Sequence, residues 1–205
     1  MSEPCSRFAN VSGAVLTGGA SARMGRDKAH LPVGGVASAT RVAARLAALC
    51  EDVVLVGGDP PAEASGRRAP DVPGPRCALR GLVGALEACR AERVLVVATD
   101  LPFVSADLLL ALIAWPVADA LVPRDARGAH PLCALYRREP VLDVARRLLA
   151  DERLAMRELL AAVDTRYLEG ADLAAVDPDG RALTNLNTPE DLARAEGPLR
   201  PDARG

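Results

Sequence analysis

The stretch LTGGASARMGRDK, residues 16–28, gathers what a phosphate site needs: the adjacent glycines Gly18 and Gly19, the hydroxyl of Ser21, the arginines Arg23 and Arg26, and Lys28. Glycines let backbone N–H groups come close to a phosphate, and consecutive N–H groups form an anion nest. Arg23 and Lys28 can then neutralise a triphosphate. Lys28 is the only lysine in the chain, which elsewhere uses arginine. Lysine is a compact point charge on a flexible stem, so it fits where a planar guanidinium does not. Two common phosphate loops are excluded. Walker A requires Gly-Lys-Ser/Thr, but Lys28 stands between Asp27 and Ala29; the dinucleotide fingerprint requires GxGxxG, but these glycines are adjacent. A plain turn after a strand remains the alternative reading of Gly18-Gly19.

Three further places carry chemistry. Asp100, in VLVVATDLP, stands just past an apolar run. It reads either as a turn cap before Pro102 or as a ligand for Mg²⁺, which takes one or two carboxylates plus phosphate oxygens and water. Asp71, in the stiff APDVPGPRCALRG segment that also holds Gly81, reads on its own as an exposed loop charge. His130, in HPLCALY, is one of two histidines and reads as a loop histidine packed on proline; His30 is structural or peripheral. In TNLNTPEDL, Thr188, Pro189, Glu190 and Asp191 make a helix start. That does not account for Asn185 and Asn187, whose spacing puts both on one face of an extended chain.

Composition narrows the classes. The chain has 205 residues, half of them hydrophobic, with a formal net charge of −2. That length suits one α/β domain with a sizeable core. The balance argues against nucleic acid as a partner, and Arg67-Arg68 and Arg137-Arg138 read as solvated faces. The 5 cysteines, Cys5, Cys50, Cys77, Cys89 and Cys133, show no metal-type spacing. They read as mostly buried thiols in a reducing compartment. With no apolar leader and no run long enough to span a bilayer, the expectation is a soluble cytoplasmic protein without a membrane partner. The scarcity of lysine and asparagine fits a GC-rich genome, which makes Lys28, Asn185 and Asn187 stand out.

The elements that must position these residues alternate. Apolar runs at 11–16, 52–56 and 93–98 read as buried strands, with further strands at 120–122 and 132–136. Helices are expected at 37–50, 79–89, 106–114 (capped by Ser105), 139–150, 152–163 and 189–196. Residues 59–75 read as loop with at most one short strand. The alternation indicates a doubly wound α/β sheet, mostly parallel, with helices on both faces. Such sheets bind ligands beyond the carboxyl ends of their strands, where Gly18 and Asp100 fall. No repeat or linker divides the chain, so a single domain over 1–197 is expected, with 198–205 a disordered tail.

The ordered pattern Gly18-Gly19-Ala20-Ser21-Ala22-Arg23-Met24-Gly25-Arg26-Asp27-Lys28 resembles the signature loop of the molybdenum cofactor guanylyltransferase (MobA) family, within the Rossmann-like, GT-A-type nucleotidyltransferases. The similarity continues in Thr99-Asp100-Leu101-Pro102 and Asn185-Leu186-Asn187-Thr188-Pro189-Glu190, and spans residues 16–192 in the family's order. It implies transfer of GMP from GTP to the phosphate of molybdopterin, with release of pyrophosphate. Arg23, Lys28 and Asp100 would be catalytic, with Asp100 the Mg²⁺ ligand. Leu16, Thr17, Gly18, Gly19, Ser21, Lys28, Asp71, Gly81 and Asp100 would hold the nucleotide, and His130, Asn185 and Asn187 would face the acceptor. It also implies molybdenum enzymes or their chaperones as partners. This chain departs from the family at Thr17, at Val36-Ala37, at Val56-Gly57-Gly58 and at Arg80, where a small residue is common. CTP-dependent cytidylyl transfer to the same cofactor is the alternative within the class. A non-catalytic nucleotide- or cofactor-binding module is the alternative outside it.

Overall fold

A computed structural model describes residues 7–18, 28–116 and 118–186. In chain order the elements are β1 (Phe8–Leu16), a short 3-10 turn (Lys28–His30), β2 (Pro32–Val33), β3 (Val36–Ala37), α1 (Ser38–Leu49), β4 (Cys50–Val56), β5 (Arg67–Ala69), α2 (Ala78–Ala88), β6 (Arg93–Ala98), α3 (Ala106–Ala114), β7 (Ala120–Asp125), β8 (Gly128–Ala129), β9 (Cys133–Arg137), α4 (Arg138–Ala150), α5 (Met156–Ala162), β10 (Thr165–Leu168) and α6 (Gly170–Val176). The helix expected at 189–196 and the tail lie outside the described residues.

The main sheet has the order β10-β7-β9-β6-β1-β4-β5, with β8 paired to β7. β1 is parallel to both neighbours, Leu16 facing Val56 on one side and Ala98 on the other. β9 breaks the parallel pattern, running antiparallel to β6 and to β7, and the short β8 is antiparallel to β7. The chain from Asp125 to Cys133 is too short for a parallel crossover, which needs a dozen or more residues. It therefore turns back on itself and fills the gap that α3 leaves between β6 and β7. β2 and β3 form a separate two-stranded ribbon.

Period-2 alternation sorts the strands' side chains onto two faces. Val11 and Val15 of β1, Val53 and Leu55 of β4, and Leu95 and Val97 of β6 pack against α1, α3 and α6 through Leu46, Leu108, Leu112 and Leu173. Ala14, Leu16, Val54, Val56, Val94 and Val96 pack on the other face against α2, α4 and α5 through Leu82, Leu86, Leu142 and Leu159. The result is three layers with the sheet in the middle. Ser105 caps α3 as expected, accepting the Leu108 N–H at 3.2 Å.

Arg67 corrects the reading of its arginine pair as a solvated face. Its guanidinium forks onto Asp52, at 2.9 and 3.1 Å, and also donates to the Ala88 carbonyl. Ser12 donates to the same carboxylate at 3.0 Å, so this cluster ties β1, β4, β5 and the end of α2 together at the amino edge of the sheet. Arg137 likewise pairs with Asp119. Cys50, Cys89 and Cys133 are buried free thiols and Cys77 is half-buried. Among the described residues no helix is long and apolar enough to cross a membrane.

Candidate functional site

The chain leaves β1 for β4 on one side and then returns to β6 on the other side of β1. Strand order reverses at β1, so the crevice beyond its carboxyl end is the switch point where such sheets take ligands. Leu16 ends β1 at that crevice. The Thr17 and Gly18 N–H groups both donate to the Val56 carbonyl, at 3.0 and 3.2 Å. The Thr17 hydroxyl adds donation to the carbonyls of Val56 and Gly57. These groups fasten the turn to β4.

Gly18 contributes a bare surface. A Cβ there would stand 3.0 Å from Asp71 Oδ2, and one at Gly57 would stand 2.5 Å from Asp71 Oδ1. Gly57 has φ +72° and Gly58 φ +57°, backbone that favours glycine. A Cβ at Gly58 would meet the Thr17 carbonyl oxygen at 2.7 Å. The two glycines after β4 thus form a wall against which the Asp71 carboxylate rests beside Gly18. From the other direction Arg80 reaches it, with Nη2 at 3.2 Å from Asp71 Oδ2. Gly81 follows in α2, where a Cβ would only touch the Leu16 side chain at 3.7 Å.

Asp100 lies across β1 from this group. Thr99 donates its N–H to the Leu16 carbonyl at 3.3 Å, and its own carbonyl accepts from the Ser38 hydroxyl. The Asp100 carbonyl accepts the Leu186 N–H at 2.8 Å. That bond draws the late segment, with exposed Asn185, up to the metal candidate. The chain brings Asp100 and Asn185 together from opposite ends of its second half. Cys133 sits below them, its thiol pushed up to about 12 by burial, with the Asp177 and Asp100 charges adding to the shift. Burial thus favours the protonated thiol.

His130 lies between β8 and β9, just before β9 begins. Its ring Nε2 lies 3.0 Å from Asp125 Oδ1, its N–H donates to the Pro123 carbonyl, and its carbonyl accepts from Cys133. Asp125 also opens onto a cleft of about 500 Å³ lined by Arg124, Glu169, Leu173, Asp177 and Leu183 on the same carboxyl edge. Gly19, Ser21, Arg23 and Asn187 lie outside the described residues, and Lys28 opens the 3-10 turn that leads to β2.

Among the described residues no three His, Cys, Asp or Glu side chains gather as a metal cage. A single carboxylate such as Asp100 suits Mg²⁺, which draws its remaining ligands from phosphate and water. It does not suit a structural Zn²⁺, which wants four protein ligands. Gly57, Gly58 and Arg80 enter the site from outside the expected residue set. Their signals in the sequence were faint: a glycine pair directly after a strand, and an arginine in the first turn of a helix.

A family profile described as MobA-like NTP transferase domain matches residues 13–169. The chain is 35% identical over 193 residues to a probable molybdenum cofactor guanylyltransferase of Chloroflexus aggregans, covering 89% of this chain and 91% of that one. It is 36% identical over 199 residues to the molybdenum cofactor guanylyltransferase of Cereibacter sphaeroides, covering 93% and 98%. The crystal structure of molybdopterin-guanine dinucleotide biosynthesis protein A from Archaeoglobus fulgidus superposes with a TM-score of 0.75 at 25% identity, over 90% of this chain and 96% of that one.

Proposed function

The chain belongs to the MobA-like NTP transferase family, and we propose that within it the protein transfers GMP from GTP to the terminal phosphate of molybdopterin bearing molybdenum. An oxygen of the acceptor phosphate attacks the α-phosphorus of GTP. The bond from that phosphorus to the bridging oxygen breaks, and pyrophosphate leaves with the electron pair. The acceptor phosphate is already ionised near neutral pH, so no general base is needed and His130 has no acid–base duty.

Positioning and charge neutralisation then carry the catalysis. Arg23 and Lys28 meet the β- and γ-phosphates and stabilise the charge that develops on the leaving group. Asp100 would hold Mg²⁺, which would supply further neutralisation of the triphosphate. Asp71 receives the nucleoside on the Gly18 side of β1, while Asn185, on the Asp100 side, orients the acceptor together with Asn187. The observation that carries this reading is the pairing of a glycine-walled carboxylate, Asp71, with a strand-end carboxylate, Asp100, on opposite sides of the β1 switch point.

Thermal unfolding with GTP, CTP, ATP and UTP, each with and without Mg²⁺, tests it. A ligand that binds only the folded state raises the midpoint by mass action. GTP with Mg²⁺ is expected to give the clear rise. A rise with CTP alone would move the assignment to cytidylyl transfer, and no rise with any nucleotide would leave a non-catalytic module.

A further inference from the structure

Arg80 breaks three local rules at once. It is a cation in the first turn of α2, close behind the cap Cys77, where the helix end is partly positive. Its Nε is buried without a hydrogen-bond partner, which costs stability. Its long side chain is held rather than free, with only 15% of it exposed. Positions that break local rules are expected at functional or strained sites.

What the guanidinium does is visible in its two ends. Nη1 donates to the Gly74 carbonyl at 3.0 Å and Nη2 pairs with Asp71 at 3.2 Å, so one side chain clips both ends of the Asp71–Gly74 turn. The same carboxylate is stopped on its far side by the Gly57 and Gly18 wall. Asp71 is thereby fixed in direction as well as in place, beside Gly18 at the end of β1, and remains 32% exposed. An ionised carboxylate has about four lone-pair sites, and Arg80 takes one. The others can accept a matched pair of N–H donors. Among the bases, guanine presents such a pair, N1–H beside the N2 amine; the N2 donor is the group that distinguishes it.

We propose that Arg80 is a positioning residue that sets base preference, by holding the Asp71 carboxylate where it accepts from the donor edge of guanine. This rests on the proposed reading of the site as a GTP site. Base preference belongs here to a pair of side chains rather than to Asp71 alone.

The test compares GTP with ITP, which lacks only the N2 amine, by calorimetric titration of the full chain with Mg²⁺. Wild type is expected to prefer GTP by about tenfold or more, since a site built to accept an N–H rejects the analogue lacking it. Arg80→Ala should bring the ratio to within about twofold, and Arg80→Lys should restore part of it, because the ammonium keeps the charge but not the fork. Asp71→Asn, which keeps shape and loses the paired acceptors, should collapse the ratio as well. In turnover the Arg80→Ala loss should fall on KM for GTP rather than on kcat. General destabilisation would not change a ratio of two ligands. An Arg80→Ala or Asp71→Asn protein that keeps the wild-type ratio overturns the inference, and so does a wild type that binds GTP and ITP equally while still turning over GTP. A wild type that binds no nucleotide overturns the GTP reading itself. If Arg80→Ala does not fold, Arg80→Lys and Asp71→Asn decide.

Discussion

Replacing Gly57 by alanine separates the work of the glycine wall from its contribution to stability. Gly57 and Gly180 share left-handed backbone, φ +72° and +64°. A Cβ at Gly180 meets nothing within 4 Å, whereas one at Gly57 would stand 2.5 Å from Asp71 Oδ1. Left-handed backbone costs an L-residue about 1–2 kcal/mol. For a chain of this size each kcal/mol lowers the unfolding midpoint by about 2–4 °C, so Gly180→Ala should lose roughly 2–8 °C. Gly57→Ala carries the same strain plus a displaced Asp71. That clash falls on the far end of a side chain that can swing aside, so the added stability cost is the loosening of the largely buried Arg80–Asp71 pair, about 1 kcal/mol. The two variants should therefore unfold within about 4 °C of each other. GTP binding should differ sharply: unchanged in Gly180→Ala and weakened about tenfold or more in Gly57→Ala, the scale of one lost charged hydrogen bond. Gly58→Ala completes the series. Its Cβ would press on the Thr17 backbone oxygen at 2.7 Å, which cannot swing, so it should be the least stable of the three. Circular-dichroism melts and GTP titrations of all three read this out. Gly57→Ala with wild-type GTP affinity would refute the placing of Asp71 in the nucleotide site.

Asp100→Ala should abolish Mg²⁺-dependent turnover while keeping the Leu186 contact, which uses the Asp100 backbone oxygen; retained activity would remove the metal assignment. Lys28→Arg keeps the charge but should lose much of the rate in the same assay, and normal turnover would show that a guanidinium fits there after all. Burial raises the Asp125 carboxyl, but the Arg127 side chain and amide and the His130 ring outweigh it and hold the group at about 2. A lowered folded value stabilises above the ordinary carboxylate range and is lost as pH falls toward 2. The melting gap between wild type and Asp125→Asn should thus close between about pH 4 and pH 2, from the ordinary aspartate value of about 3.9 downward; a gap that does not change with pH would count against the Asp125 cluster.

Elements with strong local signals matched the sequence residue for residue. Arg93–Ala98 is an unbroken β-branched and aliphatic run, and Ala106–Ala114 follows a serine cap. β10 and α6 escaped because little of them is buried: Leu168 alone in Thr165–Leu168, and Leu173 alone in Gly170–Val176. β5, an edge strand carrying two arginines, is the one short strand allowed within the 59–75 loop. The helix expected from 152 starts at Met156 instead, because α4 ends in a turn with Glu152 at φ +57° and the Arg153 N–H returning to Leu148. In the site, Gly18 and Asp100 were legible as residues just past buried strands. The Asp71–Arg80 pair was not, since a loop carboxylate and a helix arginine nine positions apart show no periodicity; only the folded path from β5 into α2 brings them together.

The most direct test of guanylyl transfer is pyrophosphate release from the purified chain with GTP, Mg²⁺ and molybdopterin bearing molybdenum, each omitted in turn. The account predicts release that requires all three and yields the guanine dinucleotide form of the cofactor. Release with CTP in place of GTP, or none with the complete mixture, would contradict it.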